Sequence, residues 1–140
     1  MLSAPKKHQY ALRAIYELAR RYGEGPVKIS EIAKAQAIPL RFLEVILNQL
    51  KGSGFVTSRR GFYGGYYLVT PPEKISVGAI MRYMQGPVDP MACMACVSQN
   101  DCPLDNDCPF MPLWSRVSTA IFGIYDTTTI ADLIHKPMPL

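Results

Sequence analysis

Apolar residues in the first quarter of the chain recur at helical spacing. Tyr10, Ala11, Ala14, Ile15, Leu18, Ala19 and Tyr22 share one face, the i, i+3, i+4, i+7 pattern of an amphipathic helix. Gly23-Glu24-Gly25-Pro26 ends that helix. Residues 27–29 are a short stretch suited to a strand. Ser30 is expected to cap a second helix, with Glu31 in its first turn to complement the dipole. Ile32, Ala33 and Ala37 supply its apolar side, and Ile38-Pro39 breaks it. A third helix over residues 40–51 buries Leu43, Ile46, Leu47 and Leu50 and turns Arg41, Glu44, Asn48 and Lys51 outward.

The period then changes from helix to strand. Residues 55–58 and 66–69 are rich in aromatic and β-branched side chains and flank Arg59-Arg60-Gly61-Phe62-Tyr63-Gly64-Gly65, so they predict a hairpin with a glycine-rich tip. Tyr66, Tyr67 and Leu68 are expected to pack on the core. After Pro71-Pro72, Ser76 caps a fourth helix carrying Val77, Ile80, Met81 and Met84, which stops at Gly86-Pro87. A last long helix begins near Leu113 with Val117, Ala120, Ile121 and Ile124. Asp126-Thr127-Thr128-Thr129 breaks it before a short closing turn over residues 130–134.

Two short helices joined by a tight turn and followed by a hairpin describe a winged helix-turn-helix. The expected fold is mainly α with a small β-hairpin wing, plus a long C-terminal helix. It divides into a winged-helix unit over residues 1–86, a loop over 87–112, and a helix with tail over 113–140.

Charge sharpens this picture. Residues 1–85 hold 13 Lys/Arg against 5 Glu, whereas residues 86–140 hold 2 against 6 Asp. A basic front half on a helix-turn-helix pattern points to double-stranded DNA. The N-terminal end of the third helix, Pro39, Leu40, Arg41 and Phe42, is the part expected to face base edges in the major groove. Arg41 suits phosphate or guanine, and Phe42 a thymine methyl group. Lys28 and Ser30, at the start of the second helix, suit a phosphate. In the wing, Arg59 and Arg60 suit a narrow, electronegative minor groove, and Gly61 lets the backbone approach it beside the aromatic Tyr63.

The chain has 140 residues, 49% apolar and 19% charged, enough for one globular unit with a real core. Residues 1–7 lack the apolar centre of a signal peptide, and no apolar run is long enough to span a bilayer, so a cytoplasmic location is expected. The two histidines, His8 and His135, lie near the ends, and no nucleophile motif or carboxylate pair stands out. Neither an enzyme nor a small-molecule substrate is expected.

All four cysteines fall within sixteen residues: Cys93, Cys96, Cys102 and Cys108. In a reducing compartment such a cluster suits a soft metal better than a disulfide framework. Structural zinc draws on two close pairs, and only Cys93-x2-Cys96 is close here. Proline follows both Cys102 and Cys108, as in loops that ligate iron–sulfur clusters. An iron–sulfur cluster is favoured, with zinc or free thiols as the alternative. A pure electron-transfer or cluster-carrier role would leave Arg59, Arg60 and the helix-turn-helix without a use.

The chain resembles the bacterial winged-helix iron–sulfur transcriptional regulators typified by IscR and NsrR. The matching pieces run in order along nearly its whole length: Tyr10-Ala11-Leu12, Ile29-Ser30-Glu31-Ile32-Ala33 and Phe42-Leu43-Glu44, then Arg60-Gly61 and Gly64-Gly65-Tyr66-Tyr67-Leu68 in the wing. They continue through Pro71-Pro72-Glu73-Lys74-Ile75-Ser76-Val77, the three cysteines Cys96, Cys102 and Cys108, Leu113-Trp114, and Thr127-Thr128-Thr129-Ile130-Ala131-Asp132-Leu133. The resemblance implies a homodimer that binds a palindromic operator and crosses its long C-terminal helices. Val117, Ala120, Ile121 and Ile124 then serve the interface. It also implies a 2Fe-2S or 4Fe-4S cluster held by three cysteines and a fourth ligand, whose state tunes DNA affinity. At the fourth ligand the sequence departs from the pattern. Met111 stands where IscR-like members have histidine, and Gln9 where NsrR-like members have an acidic residue. Cys93 is the first candidate to fill that place, and His8 of the partner subunit the second.

Overall fold

The computed structural model describes residues 5–86 and 107–135. Its elements run α1 (Lys6–Arg20), α2 (Ile29–Gln36), α3 (Leu40–Leu50), β1 (Val56–Arg59), β2 (Gly65–Leu68), α4 (Val77–Gln85), α5 (Met111–Thr127) and α6 (Ile130–His135). The expected winged helix is therefore present. Cys93, Cys96 and Cys102 lie outside the described residues.

Helix α1 is the hub, touching α2, α3, α4, α6 and β2. The reason is its apolar stripe: Ala11, Ala14, Ile15 and Leu18 are fully buried at helical spacing. The small alanines let neighbouring helices approach, and the larger Ile15 and Leu18 fill the space between them. The same core takes in Ile32, Leu43, Ile46, Leu47 and Leu50, as the hydrophobic pattern predicts. Tyr22 is not part of it. Helix α1 ends at Arg20, and Tyr22 stays exposed.

Helix α2 starts one residue before Ser30, which is a correction to the expected cap. Lys28 occupies the cap position, without a side-chain cap bond. The cause lies in Val27, whose N–H and C=O pair with Tyr66 at 2.8 Å each. This bridge holds the chain extended up to Lys28, so Ser30 falls inside the first helical turn. The short strand expected over residues 27–29 reduces to that bridge at Val27. Gly65 makes it possible, because a Cβ there would lie 2.3 Å from the Val27 carbonyl oxygen.

The wing is a two-stranded antiparallel hairpin with register Val56↔Leu68, Thr57↔Tyr67, Ser58↔Tyr66 and Arg59↔Gly65. Val56 and Leu68 are buried, while the far end of the hairpin is exposed. Ser76 caps α4 as expected, its Oγ accepting from the Ala79 N–H at 3.0 Å.

Helix α5 starts at Met111, two residues before the position expected. Pro112 then lies in the first turn, where its missing N–H costs nothing. No residue of α5 is buried. Beyond it the chain returns to the core. Val77 N–H donates to Thr128 O, Ile130 N–H donates to Ile75 O, and Ile130 is fully buried. Thr129 and Asp132 cap α6 reciprocally, each backbone N–H donating to the other's side chain at 3.0 and 3.1 Å.

Candidate nucleic-acid interface

The helix-turn-helix angle is set where α2 gives way to α3. Ala37 sits in the left-handed region at φ 51° and donates its N–H to Ala33 O. For a residue with a Cβ that conformation is unfavourable. The Arg13 guanidinium, reaching across from α1, donates to the carbonyl oxygens of Gln36 and Ala37. A cation at this C-terminal end also complements the helix dipole. Ile38 is buried in the turn and Pro39 caps α3.

A second tie runs beside it. Glu17 is only 2% exposed and accepts from Gln36 Nε2 at 2.9 Å, Arg20 Nη1 at 3.1 Å and Arg21 Nε at 3.2 Å. Its carboxylate leaves water but keeps three donors, which offsets the cost of burying a charge. Hydrophobic periodicity gives no sign of this role, because it depends on Gln36, nineteen residues away.

Lys28, Ser30, Pro39, Leu40, Arg41, Phe42, Arg59, Arg60, Gly61 and Tyr63 are all exposed. The structure joins two of the three segments they come from. Lys28 Nζ, at the start of α2, stands 5.1 Å from the ring centroid of Phe62 at the wing tip. At the start of α3 the Arg41 guanidinium lies over the Phe42 ring at 4.8 Å, and Phe42 faces Tyr10 of α1 with centroids 6.4 Å apart. Phe42 thus has Tyr10 and Arg41 as neighbours and remains 45% exposed. Arg59 lies over Tyr67 at 5.8 Å. In the sequence Phe62 is only one aromatic of a turn. Its contact with Lys28 exists only once the hairpin folds back toward α2.

Of the four cysteines, Cys108 alone lies among the described residues. It is half-buried just before α5, and its carbonyl accepts from the Met111 N–H at 3.2 Å. His8 is not a freely solvated terminal side chain. It is half-buried and hydrogen-bonded to the Met84 backbone, while its Nδ1 is buried without a partner. Burial, with the neighbouring Lys7, holds its imidazole below the ordinary histidine value despite the bond to Met84.

A family model described as Rrf2, iron-dependent transcriptional regulator, matches residues 4–136. The chain belongs to the Rrf2 family. Among Rrf2-type relatives, the transcriptional regulator CymR of Bacillus subtilis is 35% identical over 127 residues, which cover 91% of this chain and 86% of CymR. Its solved structure, described as the global cysteine regulator of that bacterium, matches with a TM-score of 0.74 at 34% identity, covering 95% of this chain and 96% of that one. The structure of T. potens IscR matches with a TM-score of 0.76 at 29% identity, covering 99% and 93%. The protein is thus a DNA-binding winged-helix transcriptional regulator and not an enzyme. Among the described residues no helix is long and apolar enough to cross a membrane.

Proposed function

We propose that this regulator binds a palindromic operator as a homodimer and that an iron–sulfur cluster held by its cysteines tunes its DNA affinity. The observation that carries the DNA half is the joining of the α2 start to the wing tip through Lys28 and Phe62, with Arg59 and Arg60 exposed just before that tip in the chain and Arg41 exposed at the start of α3. In this reading α3 enters the major groove with Pro39, Leu40, Arg41 and Phe42 leading. Lys28 and Ser30 hold a phosphate. Arg59, Arg60, Gly61 and Tyr63 follow the minor groove. Helix α5 supports the dimer. It is 17 residues long, buries none of them, and exposes Leu113, Trp114 and Ile124. A helix this apolar and this bare needs a second surface to cover it.

For the cluster the support is the chemistry of the donor set. Four thiols in sixteen residues fit a soft, thiolate-bound metal, with Cys96, Cys102 and Cys108 as ligands. Cys93 is the first candidate for the fourth position. His8 of a partner subunit is the second, because its depressed basicity favours the neutral imidazole that a metal requires. When bound, the cluster would supply a redox- and ligand-responsive group between α4 and α5. Protein expressed and purified without oxygen should be coloured, and Cys93→Ala should change its visible spectrum. Identical spectra would remove Cys93 from the ligand set. A colourless wild type after anaerobic supply of iron and sulfide would sink the cluster.

A second reading keeps the fold and the DNA but replaces the cluster with zinc or free thiols. The likeness to CymR, described as a cysteine regulator, favours it. Metal and sulfide analysis of freshly purified protein separates the two readings: iron with acid-labile sulfide marks the first, zinc or neither metal the second.

A further inference from the structure

The wing carries an aromatic tip, of which the reading of this surface given above uses Tyr63 but not Phe62. Gly64 N–H donates to Gly61 O at 3.0 Å, closing a four-residue turn with Phe62 and Tyr63 at its two corners. Gly61 adopts φ +112°, and a Cβ on Gly64 would lie 2.1 Å from the Arg59 carbonyl oxygen. The turn therefore depends on glycine at both ends, yet it places aromatic rings where turns ordinarily carry small polar residues. Phe62 is 79% exposed and Tyr63 84%, the highest values for large hydrophobics among the described residues. The rings meet edge to face with centroids 5.0 Å apart. Lys28 braces the Phe62 ring from α2.

We propose that Phe62 and Tyr63 form an aromatic wedge that enters the minor groove of the operator and partly unstacks one base step beneath the wing. The proposal rests on the placement of the wing against DNA given above and extends it to Phe62. Three features support it. Arg59 and Arg60 stand directly before the tip in the chain, and Lys28 stands over it, so cations flank an apolar point. That complements a groove with phosphates on both walls and stacked bases at its floor. The Lys28–Phe62 contact makes the tip continuous with the helix-turn-helix, so the wedge is aimed by the element that presents α3. Apolar side chains inserted between base steps kink duplexes toward the major groove, and pyrimidine–purine steps yield most easily. The wedge therefore gives preference for a flexible step at a position that no hydrogen bond reads.

The test uses 30-base-pair duplexes enriched from a random pool by the wild-type protein, with 2-aminopurine scanned through the region under the wing. Wild-type binding should raise 2-aminopurine fluorescence at one step in each half-site. The Phe62→Ala, Tyr63→Ala double variant should abolish that rise and weaken binding about tenfold, comparable to one mismatched base pair. The difference in affinity should vanish when the step is replaced by a stiff A-tract. A Phe62→Leu, Tyr63→Leu variant should restore the rise, since leucine also serves as a wedge. Both pairs are on the surface, so folding is not at stake. Wild-type binding without a fluorescence change would overturn the wedge and leave the DNA placement standing. So would an alanine pair that keeps the change, or a tip needed only for binding phosphatidylserine vesicles. If the wild type enriches no duplex, the DNA placement fails first and the wedge with it.

Discussion

The Tyr83 hydroxyl donates to the Gln49 carbonyl, fastening α4 to the C-terminal end of α3. Gly52 leaves room for that contact, because a Cβ on it would lie 2.7 Å from Tyr83 Oη. Helix α4 leads into the cysteine segment, and in the function proposed above α3 enters the major groove, so in that reading this bond joins the two parts that regulation has to couple. Tyr83→Phe should cost about 1 kcal/mol, the usual net worth of one hydrogen bond. Gly52→Ala should destabilise by pushing the ring away. In the double variant the hydroxyl that clashes is already gone, so the two effects should sum to less than their parts. Urea unfolding of the four proteins of the cycle measures this, and full additivity would show that the ring moves freely.

The turn between α2 and α3 makes opposite predictions for neighbouring changes. Ala37→Gly relieves a left-handed alanine and should stabilise by about 0.5–1 kcal/mol after the entropy of glycine is subtracted. Arg13→Ala removes the guanidinium from the Gln36 and Ala37 carbonyls and should destabilise by about 1–2 kcal/mol. Thermal unfolding of both variants checks the signs.

Helix α5 is tied to α4 by Arg82, which grips the Asp126 carboxylate through both Nη atoms and lies over Phe122 at 4.7 Å. The hydrogen bond from Arg82 holds the Asp126 carboxyl below its ordinary value, against a smaller opposing effect of desolvation. A depressed carboxyl stabilises the fold above its unfolded pKa and loses that contribution as pH falls through the folded pKa. Asp126→Asn should therefore lower the melting temperature slightly near neutral pH, and the gap from wild type should close on acidification. Both groups are solvent-exposed and salt should shrink the effect. A gap that is constant with pH would mean the ion pair contributes nothing.

Those contacts also show what sequence periodicity reaches. Leu43, Ile46, Leu47 and Leu50 can be assigned to the core from sequence because a period of 3.6 encodes burial locally. Ser76 can be assigned as a cap because a cap depends on residues three positions away. The Arg13 contacts, the Glu17–Gln36 bond and the Lys28–Phe62 contact are not legible there, since each joins residues about twenty or more positions apart. Ser30 fails as a cap for the same reason: the Val27 bridge to Tyr66 decides where α2 begins. The side chains of the proposed DNA-facing surface can be chosen from residue type, and all of them are exposed, but the Lys28–Phe62 contact cannot be read there.

The DNA surface itself should be measured by salt dependence. Removing one phosphate-binding cation should flatten the slope of log K against log salt by about 0.9 on a B-form duplex. Arg59 and Arg60 are both exposed and the wing places them on one hairpin end. Arg59→Ala with Arg60→Ala should therefore reduce the slope by roughly 2 per subunit and weaken binding to all duplexes alike. Arg41→Ala should act differently. Arg41 lies in the first turn of α3, so if it reaches guanine its removal should relax preference at one base pair, at about 1–3 kcal/mol. Titrations at several salt concentrations, with the selected duplex and with one altered at single positions, separate the two effects. A uniform weakening for Arg41→Ala would make it a phosphate contact. An unchanged slope for the Arg59, Arg60 variant would remove the wing from the interface.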